Sequence, residues 1–306
     1  MHKSVLLEEV IQGLNINESG IYVDCTLGYG GHASSILQRI RRGYLFAFDQ
    51  DKEAIDYSKA KLSQVANNFT IIHSNFVNIL EKLHEENIYE VDGILYDLGV
   101  SSPQLDEDER GFSYHKDHRL DMRMNQDDKL SAYEVVNDYD EEELIRIFFQ
   151  YGEEKYARSI AREILKSREE KKIETTLELV EIIKRAVPLK SRLEKHPARK
   201  VFQAIRIEVN QELAVLSKSL EDALKLLKPK GRLAVISFHS LEDRIVKDLF
   251  YKYSQDDPIA KGIPNVDSKY LAKYKLINKK VITASKKELE DNPRARSAKL
   301  RIIERL

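Results

Sequence analysis

The chain has 306 residues, of which 42% are hydrophobic and 33% charged, with a formal net charge of −1. That length can bury one large core or two smaller ones, and near-balanced charge gives no global signature of a nucleic-acid binder, so only local patches could carry one. One cysteine, Cys25, excludes an intramolecular disulfide; the acidic start over Met1 to Val10 does not read as a signal peptide, no apolar run reaches the length of a membrane span, and the expected location is the cytoplasm.

Ile21 to Cys25 is a β-rich run ending in a glycine turn, and His32 to Arg42 has helical spacing with Ile36, Leu37 and Ile40 on one face. Tyr44 to Phe48 predicts a second strand closed by Asp49. Lys52 to Val65 predicts a helix, Phe69 to His73 a third strand, Asn78 to Glu86 a helix and Val91 to Leu98 a fourth strand. Strands separated by helices imply a parallel α/β sheet. From about Asp106 to His196 no strand is predicted. Leu144 to Phe149, Ala157 to Leu165 and Leu177 to Ala186 read as helices, the last behind a capping region at Thr175-Thr176. A long helical stretch follows Pro197 to about Leu227, where Lys228-Pro229-Lys230-Gly231 breaks it. Arg232 to Phe238 is a fifth buried strand, and Lys280 to Thr283 with Ala298 to Ile303 look like a closing antiparallel pair. The expected organisation is one α/β domain, residues 1–105 and 197–306, interrupted by an all-helical domain at residues 106–196.

The turn Gly28-Tyr29-Gly30-Gly31-His32 follows a strand and opens a helix, where glycines allow close backbone approach and free N–H groups face a ligand. Asp49 closes the next strand 21 residues after Gly28, about the spacing at which an acid meets ribose hydroxyls in nucleotide-binding α/β folds. A bare tight turn beside a surface acid is the bland alternative, and a nucleoside ligand is favoured over it. The string through Ala33 also satisfies the alanine form of the dinucleotide fingerprint, so an NAD-dependent oxidoreductase stays a rival. Against NAD stand Asp24, placed to meet a positively charged amino-acid moiety, and the antiparallel closing strand.

Longer strings carry a resemblance. They are His2 to Val10, Asp97-Leu-Gly-Val-Ser-Ser-Pro-Gln-Leu-Asp106, Arg110-Gly-Phe-Ser-Tyr114, Leu120-Asp-Met-Arg-Met124, His196-Pro-Ala-Arg199, Phe202 to Asn210, Phe238 to Arg244 and Asn292 to Lys299. Together they resemble the bacterial 16S rRNA (cytosine-N4)-methyltransferase family over the whole chain. The resemblance implies a Rossmann-like class I S-adenosylmethionine-dependent methyltransferase sheet with an inserted helical substrate-recognition domain. It implies methyl transfer from S-adenosyl-L-methionine to the exocyclic N4 of a cytosine in the decoding region of 16S rRNA, within the small ribosomal subunit. It further implies that Gly30, Gly31 and His32 hold the methionine end of the cofactor, Asp49 the ribose and Phe76 the adenine edge, with Asp97 and Gln104 completing the pocket. The chain departs from the family pattern at His118-Arg119, where Gly-Pro is usual, and at Asn125, where an acid is usual.

Cytosine N4 is a poor nucleophile because its lone pair is delocalised into the ring; acceptors on its protons would localise that pair. Asp97, at the end of strand four, is the candidate catalytic residue, with contact to the cofactor alone as the equal alternative. Methylation at C5 normally needs a cysteine nucleophile, and Cys25 reads better as a packed residue. No histidine and cysteine set has metal-ligand spacing, so no structural zinc and no metal ligand residues are predicted, with a Mg²⁺ site left open. From Lys184 to Arg206 eight basic residues face the single acid Glu194. Lys190, Arg192, Lys195, Arg199 and Lys200 are the candidate phosphate contacts, extended by Arg294, Arg296, Lys299 and Arg301, with a solvated helix face as the alternative. His239 is a further candidate, against the plainer reading of a histidine satisfied in its loop. The acidic run Asp138 to Glu143 is expected to face away from RNA.

Overall fold

The computed structural model describes residues 4–99, 110–194, 196–260 and 267–306. Gln104 and Lys195 lie outside the described residues. The chain divides into two compact units, residues 1–99 with 213–306, and residues 100–212.

The first unit carries helix α1 (Leu7–Leu14), β1 (Ile21–Asp24), α2 (Gly31–Leu37), β2 (Tyr44–Asp49), α3 (Lys52–Ser63), β3 (Phe69–His73), α4 (Ile79–Glu85) and β4 (Val91–Asp97). Its strands form part of one seven-stranded sheet of order β3-β2-β1-β4-β5-β7-β6, where β5 is Leu227–Ser237, β6 Tyr274–Leu276 and β7 Lys299–Arg305. β1 to β5 run parallel, and β7 is antiparallel to both neighbours. Alternate strand residues feed different cores. Val23, Phe46, Phe48, Ile94 and Tyr96 enter one cluster; Tyr22, Leu45, Ala47, Leu95 and Ala234 enter another. Both sheet faces are therefore apolar, as strands covered on two sides require. The strand order reverses direction between β1 and β4, which opens a crevice at their carboxyl ends.

Two expectations need correction in this unit. The closing partner of β7 is Tyr274–Leu276, within a stretch that shows little alternation; Ile282 makes only an isolated bridge to Leu300. The break at residues 228–231 ends the helix as expected, at Leu226, but the fifth strand begins at Leu227 rather than Arg232, so the break lies within that strand. It is a register shift between Val91 and Gly93 where β5 pairs with β4, with Lys230 at φ 68°.

The second unit is helical: α5 (Ala132–Asp138), α6 (Glu141–Gln150), α7 (Ala157–Glu170), α8 (Thr176–Ala186), α9 (Leu189–Glu194) and α10 (Ala198–Asn210). Ser131, Asp140 and Thr175 each head a capping box with a glutamate three residues on, so side chains satisfy amides that the first turns leave open. The boundary expected at residue 197 falls instead at 212. Pro197 sits at the N-cap of α10 and marks a helix start, not a domain edge. α10 buries Val201, Phe202, Ala204, Ile205 and Val209 in the helical core with Leu144, Phe148 and Ile160. A helix whose apolar face fills that core belongs to it. The remaining helices, α11 (Glu212–Leu226), α12 (Ser240–Tyr253) and α13 (Lys286–Asp291), complete the chain.

The departure at His118-Arg119 is accommodated by backbone pairing. The His118 carbonyl accepts from Thr176 N–H at 2.8 Å and the Leu120 amide donates to Glu174 at 2.9 Å. Neither bond uses the Arg119 amide, so this ladder tolerates either sequence. Gly111, at φ 69°, is obligatory beside it, since an added Cβ would stand 2.4 Å from the Arg119 carbonyl oxygen. Asn125 holds its own turn, accepting from Asp127 N–H and donating to Asp128. Among the described residues no helix is long and apolar enough to cross a membrane.

Candidate cofactor and catalytic site

Three strand ends place three carboxylates along one edge of the sheet: Asp24 on β1, Asp49 on β2 and Asp97 on β4. The glycine turn lies between the first two. Gly28 and Gly30 take φ of 48° and 68°, a region where side chains are strained. Asp49 fastens the turn: its Oδ2 accepts the Gly28 N–H at 2.8 Å, and its Oδ1 accepts the Asp51 N–H at 2.9 Å. The Gln50 amide also bonds this carboxylate, which leaves it part of its acceptor capacity. From α3, Ser58 Oγ donates to the Gly28 carbonyl at 2.6 Å and Lys61 Nζ to the Tyr29 carbonyl at 2.9 Å. Neither residue is legible as a site residue in the sequence, because both look like ordinary helix positions. An added Cβ on Gly30 would meet Ser58 Oγ at 3.2 Å, so the turn and α3 are matched.

Thr26 ties the outer strand ends together. Its amide donates to Asp24 Oδ1 at 3.1 Å, and its hydroxyl accepts the Asp97 N–H at 2.7 Å. Only the local Asp-x-Thr spacing hinted at the first of these bonds. Asp24 is 1% exposed, and burial pushes its carboxyl up to about 6, opposed by the His32 charge and the Thr26 amide and assisted by Asp97 and Asp49. Burial likewise pushes Asp49 up to about 6, against the pull of the Asp51 and Gly28 amides.

His32 is buried between two acceptors. Its Nε2 lies 2.9 Å from the Val5 carbonyl oxygen, which can only accept, and its Nδ1 lies 3.4 Å from Asp97 Oδ2. Burial disfavours the charged ring, but the Asp97 bond, the charges of Asp97 and Asp24 and the Val5 carbonyl raise its pKa above the ordinary histidine value. An imidazolium is the form that satisfies both contacts. The ring therefore stands behind Asp97, and the part of the Gly30-Gly31-His32 string open to a ligand is its backbone.

Two oxygens remain without a hydrogen-bond partner although buried, Asp24 Oδ2 and Asp97 Oδ1. Such atoms are costly unless something supplies donors. A cofactor carrying an ammonium group, a sulfonium and ribose hydroxyls fits this acid-lined turn. Phe76 is half-buried just after β3, edge-on to Tyr96 with ring centroids 5.3 Å apart. Its carbonyl accepts from Ser219 Oγ at 2.7 Å, and Ser219 also bonds the buried Tyr96 hydroxyl. This chain from α11 to β4 holds the aromatic edge in place.

Cys25 is 2% exposed, and burial raises its thiol well above the ordinary range even with Tyr96 bonded to it. A thiol held neutral is a poor nucleophile. His239 is the N-cap of α12: its Nδ1 accepts the Glu242 amide, and Glu242 in turn accepts from the amides of Phe238 and His239. With 9% of its side chain exposed, His239 sits mainly in this cap.

The basic cluster is thinner in space than in sequence. Lys184 pairs with Glu181, Arg185 with Glu163, and Arg206 with Glu212. Lys299 and Arg301 both bind Asp243, whose carboxyl they pull below the ordinary range against its burial. Lys190, Arg192, Arg199 and Lys200 meet no carboxylate among the described residues, although Arg192 donates to the Val187 carbonyl and Lys200 to that of Glu153. Of the acidic run, Asp140 and Glu143 are spent in a capping box, Glu141 pairs with Arg162 and Asp138 with Lys172.

Solved structures that align with this chain include an rRNA methylase from Streptococcus thermophilus, at 11% identity and a TM-score of 0.44, matched over 100% of this chain and 99% of that one. A Streptococcus mutans protein in complex with SAH aligns at 11% identity and a TM-score of 0.46, over 100% of both chains. A methyltransferase homologue from Pyrococcus horikoshii aligns at 14% identity and 0.45, over 100% and 67%. The model of the MraW methylase family matches residues 1–306. The chain therefore belongs to the MraW methylase family, and its cofactor is S-adenosylmethionine.

Proposed function

We propose that this methylase modifies the exocyclic N4 of a cytosine in the decoding region of 16S rRNA, with the small ribosomal subunit as partner, in the cytoplasm. The observation that carries the reading is Asp97 Oδ1, a buried acceptor without a donor at the carboxyl end of β4. Bound S-adenosylmethionine supplies an electrophilic methyl carbon on a positively charged sulfur. Asp24 is assigned to the ammonium group, Asp49 to the ribose hydroxyls, Phe76 to the adenine edge and the Gly30–His32 backbone to the methionine end. Gln104 is assigned to the same pocket.

Asp97 is held from two sides, by His32 at Oδ2 and by Thr26 at its amide. His32 keeps one oxygen occupied and aims the other. Asp97 Oδ1 then accepts a hydrogen bond from the cytosine amine, which localises the nitrogen lone pair and stabilises the positive charge that grows on nitrogen. The neutral, buried Cys25 disfavours attack at C5 through a covalent adduct. The helical unit serves substrate recognition, with Lys190, Arg192, Lys195, Arg199 and Lys200 on phosphates.

Labelled methyl transfer to 16S rRNA and to assembled small subunits, followed by nucleoside mass spectrometry, tests this. N4-methylcytidine is the expected product. Asp97→Asn should keep most of the cofactor affinity while turnover falls by about 10²–10³, the range for losing one transition-state contact. A different methylated nucleoside would overturn the target. Equal losses in cofactor affinity and turnover would reduce Asp97 to a cofactor contact.

A further inference from the structure

Four rings in the helical unit climb from its core to its surface. Phe202 is 3% exposed and meets the ring of Tyr114 edge-on, with centroids 5.7 Å apart. Tyr114 stacks on His196 at 4.6 Å and 24°. His115 lies 4.4 Å from Tyr114 and 5.4 Å from His196, and is exposed. The core thus fixes the inner ring, and the outer rings are offered to solvent.

Packing alone explains this series poorly. A histidine kept for packing normally has its ring nitrogens satisfied, yet His196 Nδ1 is buried and has no partner. Burial, assisted by the charges of His115 and Lys184, depresses the His196 pKa, so the ring is neutral at neutral pH. A neutral ring keeps a π face on which a base can stack. The residues on either side in sequence add charge: Arg199 and Lys200 follow on α10, Lys190 and Arg192 precede on α9, and none of the four meets a carboxylate among the described residues. Aromatic faces beside unneutralised cations are complementary to one ligand chemistry, a single-stranded polynucleotide whose bases are free to stack and whose phosphates run alongside.

We infer that Tyr114, His115 and His196 form a stacking platform for an unpaired base of the RNA substrate. The inference rests on the RNA reading above and deepens it: the helical unit grips a single strand by its bases as well as its phosphates. Stacking is tolerant of base identity, so the platform selects for unpaired structure and not for sequence.

The test uses the full chain and a short single-stranded RNA carrying 2-aminopurine, whose fluorescence is quenched when it stacks. Wild-type protein should quench the probe. His115→Ala, and His196→Ala separately, should weaken binding by about 5- to 100-fold and restore fluorescence, the loss expected for one stacked base. The slope of log affinity against log salt should stay unchanged, because no phosphate contact is lost. His196→Phe should retain quenching. Wild-type affinity and quenching in both alanine variants would overturn the platform, as would equal binding of the same RNA as a duplex; in both cases RNA recognition itself would stand. A wild-type chain that binds neither RNA would overturn the RNA reading together with the platform.

Discussion

Cofactor affinity should fall steeply in mild acid, and the size of the fall follows from two buried carboxyls. Asp24 and Asp49 both titrate at about 6, mainly through burial. Both must be ionised to meet an ammonium group and ribose hydroxyls at full strength. At pH 7 nearly all of each carboxyl is ionised; at pH 5 only about one part in eleven is. Each group should therefore weaken S-adenosylmethionine binding about tenfold between pH 7 and 5, and the pair about a hundredfold. Calorimetry across that range, in buffers of different ionisation enthalpy, measures the slope and the protons released. Asp49→Asn should bind more weakly at neutral pH by about 1.5–3 kcal/mol, with a shallower pH dependence because one titrating group is gone. Constant wild-type affinity from pH 5 to 7, with no proton release, would refute the reasoning. The same shifts govern the free protein. Both folded-state values lie above the unfolded value of 3.8, so the native state binds these protons more tightly. Their effect on stability is therefore unfavourable as pH rises from about 4 to 6, by roughly 3 kcal/mol each.

Cys25→Ala should retain methyl transfer with a modest drop in melting temperature; a folded, cofactor-binding variant without activity would point to a covalent intermediate. Gly30→Ala should destabilise the chain by about 1–2 kcal/mol, because a side chain would be held at φ 68° against Ser58, and denaturant unfolding reads the difference. Replacing Lys190, Arg192 and Lys195 together by alanine should leave cofactor affinity alone and flatten the salt dependence of RNA binding by roughly 0.7 per lost phosphate contact; an unchanged slope would make the cluster a solvated helix face.

The readable parts of the site were those whose signal is local. A strand, a glycine turn and an acid 21 residues on are all contained in one βαβ unit, and they met in space as Gly28 and Asp49. Ser58, Lys61 and Ser219 gave no such signal, since their hydroxyl or ammonium partners lie 30, 32 and 143 residues away. The basic run from Lys184 to Arg206 misled in proportion to its length, because Glu163, Glu181 and Glu212 stand outside it or face it only after folding. Pro197 misled differently: a proline opens a helix as readily as it ends a domain, and only the burial of Phe202 and Ile205 decides between them. The edge strand Tyr274–Leu276, only three residues long, was too short to show a period.

The position of the helical unit within the chain has a consequence for synthesis on the ribosome. β4 and β5 are neighbours in the sheet, but the whole of residues 100–212 is made between them. At roughly 5–20 residues per second, the interval from Asp97 to Leu227 lasts about 6–26 s. Throughout it, β3, β2, β1 and β4 are complete while one long edge of β4, rich in Ile94, Leu95 and Tyr96, lacks its partner. The helical unit is contiguous in the chain, so all of it is made during that wait. The sheet half made first is consequently an aggregation-prone stage, and that edge stays open until β5 emerges.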